Sequence, residues 1–129
     1  MLTPEDLALL RGRNYAHFVT INSDGTPHVA PLWIDAGDDG HILVNTAVGR
    51  KKDRNVRRDP RVAVSVHEQD DPYRWLSVNG SVVEMTEGEE GLAHIGALAR
   101  RYDDRLWTPV EGQVRVIYRI RPDRIARSE

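Results

Sequence analysis

Between Asn45 and Asn55 the chain reads NTAVGRKKDRN, and its chemistry concentrates in this run. Gly49 is followed by Arg50, Lys51 and Lys52, at the start of a segment to Arg58 that reads most simply as a short helix. A helix N-terminus already carries partial positive charge and unpaired N–H groups, so stability alone would place Asp or Glu there. An anion docked on that turn removes the conflict, because it receives the helix N–H groups and the side-chain charges together. Lys51 and Asn55 are four residues apart and share a helix face, and Thr46 offers a hydroxyl from the preceding loop. The plain alternative is a solvated basic face with Asp53 and Asp59 as local partners. Arg57, Arg58 and Arg61 lie further from the turn and fit that alternative better.

Composition sharpens the point. The formal net charge of the 129 residues is -2. From Arg50 to Arg61, seven basic residues face only Asp53 and Asp59, while the rest of the chain holds 11 basic and 18 acidic side chains. Sixteen residues are arginine, and the two lysines are the adjacent Lys51 and Lys52. Lysine is a compact point charge suited to phosphate, whereas arginine is a planar fork. An acidic protein with one concentrated positive segment implies a local anion site, whereas a nucleic-acid binder usually carries its charge along a whole face.

Other chemistries are excluded by residue type. The length is that of a single domain, residues 1–129, with a core of its own. The absence of cysteine removes disulfides, thiolate nucleophiles and Cys-based zinc sites. His17, His28, His41, His67 and His94 have no metal-type spacing with carboxylates. There is no glycine-elbow serine, no GxGxxG and no P-loop. No apolar run approaches the ~20 residues of a membrane span. The acidic start also lacks the basic region of a secretory signal, so a soluble, cytoplasmic protein is expected. A phosphate-type site without acid–base apparatus points to a bound cofactor that performs the chemistry.

Two further groups of residues belong to the candidate site. The stretch His28-Val29-Ala30-Pro31-Leu32-Trp33 is strand-like, but Pro31 cannot donate to a ladder. That implies an edge, a bulge, or a strand bent around a ligand whose heterocycle uses the freed backbone groups. An ordinary edge strand with a packed tryptophan is the other reading. Tyr73 and Trp75 follow a turn and either stack on a ring or pack. Trp107 and Tyr102 line either a pocket or a subunit contact.

The elements that must position these residues follow from turn signals and periodicity. Thr3-Pro4-Glu5-Asp6 opens a short helix that stops near Gly12. Strands are expected at Tyr15–Asn22, Pro27–Asp35, His41–Asn45, Arg61–Glu68, Arg74–Met85 and Gln113–Arg121. Ser23-Asp24-Gly25, Ala36–Gly40 and Asp70-Asp71-Pro72 are the turns, and Gly80 marks a bulge. Thr86 and Glu89 have capping-box spacing before a helix that runs to about Asp103. Six antiparallel strands with short helices and no βαβ rhythm predict a mainly β fold, a small barrel or strongly bent sheet.

The runs DGTPHVAPLW, NTAVGRKKDRNVRRDPRVAVSV and VNGSVVE resemble the pyridoxamine 5′-phosphate oxidase-like superfamily. Within it they resemble the B-type F420-dependent, or deazaflavin-dependent, oxidoreductases. The resemblance spans about Leu7 to Ile125 and is most specific in Gly49–Asn55 followed by Asp59-Pro60. It implies an FMN-binding-type split β-barrel and a homodimer with the cofactor at the subunit interface. It places Arg50, Lys52 and Asn55 on the cofactor phosphate, with Asn45, Thr46 and Lys51 close by. His28, Val29, Ala30 and Pro31 would lie along the isoalloxazine-type ring, with Tyr73 near the position of an aromatic from the facing subunit.

The chain shows no C-terminal Arg/His substrate element of the kind found in the oxidases proper, so FMN or coenzyme F420 is implied rather than vitamin B6 oxidation. Arg54, Arg57, Arg58 and Arg61 favour F420, whose polyglutamate tail extends beyond its phosphate. The arginine-rich composition agrees, being typical of the GC-rich genomes in which F420 occurs. The expected activity is hydride transfer from reduced deazaflavin to an electron-poor conjugated small molecule. An FMN-binding reductase, or a flavin carrier without turnover, is the alternative. Neither nucleic acid nor membrane is an expected partner.

Overall fold

The protein, described over all 129 residues by a computed structural model, is built on a seven-stranded, wholly antiparallel sheet. Helix α1 (Pro4–Arg11) leads into β1 (Tyr15–Ile21), β2 (Pro27–Trp33), β3 (Asp35–Ala36) and β4 (Ile42–Ala47). Helix α2 (Lys51–Arg58), β5 (Arg61–Glu68), β6 (Asp71–Glu87), α3 (Glu89–Asp103) and β7 (Arg115–Arg127) follow. The strand order is β2-β1-β5-β6-β7-β4-β3. The two edge strands, β2 and β3, are consecutive in the chain and separated only by buried Ile34. The chain therefore crosses from one end of the sheet to the other at that residue and curls the sheet into the expected split barrel.

Alternation fills the interior. Ala16, Phe18 and Thr20 of β1, Val62, Val64 and Val66 of β5, and Val116, Tyr118 and Ile120 of β7 point inward and are buried. All but Thr20 join Ile42, Val44, Leu76 and Val78 in one apolar cluster. Ile95, Leu98 and Tyr102 of α3 form a second, smaller cluster outside the barrel, against Trp33 and Trp107.

The local signals behave as their chemistry dictates at α1 and at the first hairpin. Thr3 accepts from the Asp6 N–H at 3.1 Å while Asp6 accepts from the Thr3 N–H at 2.9 Å, the full capping box, with Pro4 at the first helical position. Pro31 sits in β2, an edge strand in regular register opposite His17, where its missing N–H interrupts no second ladder.

Four expectations are corrected. The strand expected at Pro27–Asp35 breaks at Ile34, and its remainder forms β3, the seventh strand. The turn at Asp70–Pro72 is shorter than expected, because β6 already starts at Asp71. The Thr86–Glu89 box does not form: Thr86 is still in β6, paired with Ile117, and α3 starts after Gly88 without a side-chain cap. Finally, β7 runs past Arg121 to Arg127. Its pairing with β4 ends at Ile120, so Pro122 meets only β6, at the irregularity beside Gly80. A proline with one ladder neighbour and a bulge opposite does not stop a strand.

Candidate cofactor-binding site

Where α3 lies over β7 and β4, an open cavity of about 350 Å³ separates the helix from the N-terminal turn of α2 and from β2. One wall is apolar and aromatic: Tyr15, Leu32, Trp33, Ile95, Leu98 and Trp107. Trp33 stacks on Tyr102 with ring centroids 5.2 Å apart and planes 12° from parallel, and Tyr15 tilts against the same ring at 5.4 Å. The Tyr102 hydroxyl donates to the Asn14 carbonyl at 2.7 Å and accepts from the Ile34 N–H at 3.0 Å, which anchors the stack. The other wall is cationic. Arg50, Lys52 and Arg115 all line it, and no aspartate or glutamate does.

The charges are exposed to one another rather than to acids. Lys52 is half-buried, and burial lowers its ammonium pKa, helped by the nearby positive charges of Arg50 and Arg115. Burial together with Arg50 pushes the Arg115 guanidinium down to about 10. Cations that depress one another in a cleft make an anion site, because a bound anion relieves both penalties. Asp53, next to Lys52 in the chain, does not. It is almost fully buried and accepts from the Gly49 N–H at 2.8 Å, the Tyr118 hydroxyl at 2.6 Å and Arg57 Nε at 3.0 Å. Burial works to raise its pKa, but those three bonds outweigh it and hold the carboxyl below the usual range. Asp53 therefore ties the first turn of α2 to the barrel interior and fixes the turn at Gly49, whose φ of 93° suits glycine. The Tyr118 hydroxyl is pushed far up by burial and by the Asp53 carboxylate.

Comparison with known proteins supplies the family. Residues 2–127 match the pyridoxamine 5′-phosphate oxidase family. The chain belongs to that family. It is 28% identical over 128 residues to an F420H(2)-dependent biliverdin reductase of Mycobacterium tuberculosis (strain CDC 1551 / Oshkosh), covering 98% of this chain and 88% of that one. Among solved structures it is similar to an F420 reductase, with a TM-score of 0.84, 33% identity, and 96% and 98% of the two chains covered. A conserved hypothetical protein of M. tuberculosis superposes with a TM-score of 0.77 at 26% identity, covering all of this chain and 86% of the other.

Within this member of the oxidase family, the basic segment divides between two faces of α2. Arg50, Lys52, Asn45 and Pro31 line the cavity just described. Lys51 and Asn55 do share a face, as their spacing requires, but it is the opposite one. They line a wholly polar cavity of about 330 Å³ with Arg54, Arg58 and residues of the β1–β2 turn. Asn55, expected on a phosphate, commits both amide hydrogens internally, to Thr20 Oγ1 and Asn22 Oδ1 at 3.0 Å each. Arg57 pairs with Asp53 and Glu87, and Arg61 with Asp59, so neither is available as a free cation.

Thr46 is fully buried on β4, and its hydroxyl has no partner. Of His28, Val29, Ala30 and Pro31, only Pro31 lines the cavity, next to Leu32 and Trp33. Val29 is exposed, Ala30 half-buried, and His28 has a buried Nδ1 without a partner. Tyr73 lies at the start of β6, is 86% exposed, and lines no part of the cavity formed by its own chain.

Sequence reasoning missed Arg115. Residues 113–121 place arginine at 115, 119 and 121 alike. Only the fold distinguishes them: Arg119 meets Glu84 and Asp39, Arg121 meets Asp123, and Arg115 is covered by α3. The helix comes so close there that a Cβ on Gly91 would stand 2.5 Å from the Arg115 carbonyl oxygen.

Proposed function

We propose that this protein is an F420-dependent oxidoreductase that reduces an electron-poor, conjugated small molecule. The reading rests on the cavity in which Arg50, Lys52 and Arg115 converge without a carboxylate beside an aromatic wall. A phosphate-bearing, planar ring system is the chemistry complementary to both walls. The named relatives, an F420H(2)-dependent biliverdin reductase and an F420 reductase, support the deazaflavin. When bound, reduced F420 supplies a hydride to the acceptor.

The protein's own residues bind, orient and shield. Arg50 and Lys52 neutralise phosphate at the N-terminus of α2, where the helix N–H groups add to their charge. Trp33 and Tyr15, fixed by Tyr102, form a stiff apolar surface on which a ring and its acceptor are held out of water. On the far face of α2, Lys51, Arg54 and Arg58 outnumber one acid, Asp24, in a cavity without apolar lining. A polyglutamate tail would find cations there, and FMN, which ends at its phosphate, would not reach them. Two copies of the chain, with Tyr73 and the free edge of β2 facing a partner's cofactor, complete the proposal as a homodimer.

Titration of the cofactor-free protein with F420 and with FMN tests this reading. Micromolar or tighter F420 binding with much weaker FMN binding supports it. A preference for FMN moves the function to a flavin reductase or flavin carrier, and turnover of an acceptor with F420H2 separates enzyme from carrier. Binding of neither overturns the cofactor reading.

A further inference from the structure

From the cationic wall outward into the fold, four side chains from four elements are joined end to end. Arg115 Nε on β7 donates to Asn45 Oδ1 on β4 at 2.9 Å. Asn45 Nδ2 lies 2.8 Å from the Gly91 carbonyl and 3.1 Å from His94 Nδ1 on α3. His94 Nε2 lies 2.9 Å from Asp35 Oδ2 on β3, whose other oxygen accepts from Arg101 at 2.9 Å. The direction of every bond is determined. A guanidinium can only donate and a backbone carbonyl can only accept, so the Asn45 oxygen faces Arg115 and its NH2 faces Gly91. His94 Nδ1 must then accept, which leaves the ring proton on Nε2, pointing at the Asp35 carboxylate.

We propose that His94, which does not line the cavity, is a positioning residue for it: by accepting from Asn45 it holds the amide that aims Arg115 at an anionic group of the ligand. Asp35 fixes the tautomer that makes His94 an acceptor, and the Asn45 amide is thereby kept from turning its NH2 toward the guanidinium. Arg115 is framed on three sides. Asn45 takes Nε, the Gln113 side chain lies 3.3 Å from Nη1, and the Trp107 ring lies under the guanidinium carbon at 5.2 Å. Its Nη2 makes no bond within the chain and is left for the ligand. A guanidinium held this way loses little freedom on binding, which is how a supporting layer of side chains raises affinity without touching ligand.

This inference rests on the cofactor reading above, and the test separates the two. F420 affinity is measured by fluorescence for wild type, Arg115→Met, His94→Leu, His94→Asn and the double variant His94→Leu/Arg115→Met. Asparagine is chosen because its amide oxygen falls where Nδ1 was. His94→Leu should weaken F420 binding about fivefold, the effect of one lost hydrogen bond, and His94→Asn should restore it to within about twofold. In the Arg115→Met background, His94→Leu should have no further effect on affinity, even though it lowers the melting temperature in both backgrounds. Equal losses in both backgrounds, or no loss in the first, overturn the positioning role while the cofactor reading stands. A wild-type protein that binds no F420 overturns both.

Discussion

The two faces of α2 carry similar charges and meet opposite conditions. On one, Arg50 and Lys52 open onto a cavity that also receives Arg115 and contains no acid. On the other, Asn55 is bonded to Thr20 and Asn22, Arg58 donates to the Ile21 carbonyl at 2.6 Å, and Arg54 donates to the Gly49 carbonyl at 2.8 Å. Between them Asp53 anchors the helix to Tyr118 in the barrel core. A cation answered inside the protein contributes to the fold, whereas one left facing other cations is a standing cost that only a ligand removes. Charge density along the chain, which is high for the whole segment, does not tell these cases apart.

That difference can be broken or sharpened by substitution. The largest effect should come from the shared anchor. Asp53→Ala strands the Tyr118 hydroxyl and the Gly49 N–H together and leaves Arg57 with Glu87 alone, and urea unfolding should show a loss of about 3 kcal/mol. Next come the open cations, with opposite signs in two assays. Lys52→Met should weaken F420 binding by about 1.5–3 kcal/mol while leaving the free protein as stable or slightly more so. A fall in the stability of the free protein would show that Lys52 has an internal partner after all.

Acid titration gives a third test. The Asp53 carboxyl is held below its unfolded value, so the stability it confers is present above about pH 4 and is lost as pH falls through the folded value. Urea midpoints followed downward from pH 5 should fall steeply in wild type and more shallowly in Asp53→Asn. The smallest effect belongs to the far face. Lys51→Ala should cost F420 binding under about 1 kcal/mol, being an exposed cation, and should leave FMN binding unchanged. An equal loss for both cofactors would place Lys51 on the phosphate instead.

Much of the scaffold was legible because it is written locally. The N-cap at Thr3 and the Ser23-Asp24-Gly25 turn depend on partners a few residues away, and the period-two alternation of Arg61–Glu68 can be read along the chain itself. The concentration of cations after Gly49 is likewise visible in the chain itself. Where local spacing misled, a longer-range pairing had overruled it: Thr86 stays in β6 because Ile117 pairs with it. The β7 strand likewise passes Pro122 because β4 has already ended. The candidate site was legible only in part. The motif put Arg50, Lys52 and Asn55 together on one phosphate; the structure sets Arg50 and Lys52 along one cavity and turns the Asn55 amide away from it, to Thr20 and Asn22.

By itself the sequence determined that an acidic, cysteine-free chain holds one basic turn suited to an anion, framed by antiparallel strands. Only the tertiary structure decided which cations face the cavity, that Arg115 joins them, and that His94 and Asn45 stand behind it. The reason is range. Capping, turns and alternation act over four residues or fewer, so a sequence displays them directly. Arg115 and Asn45 are 70 residues apart, and Asn45 and His94 are 49 apart. Contacts of that kind exist only once the sheet has curled and α3 has closed over it.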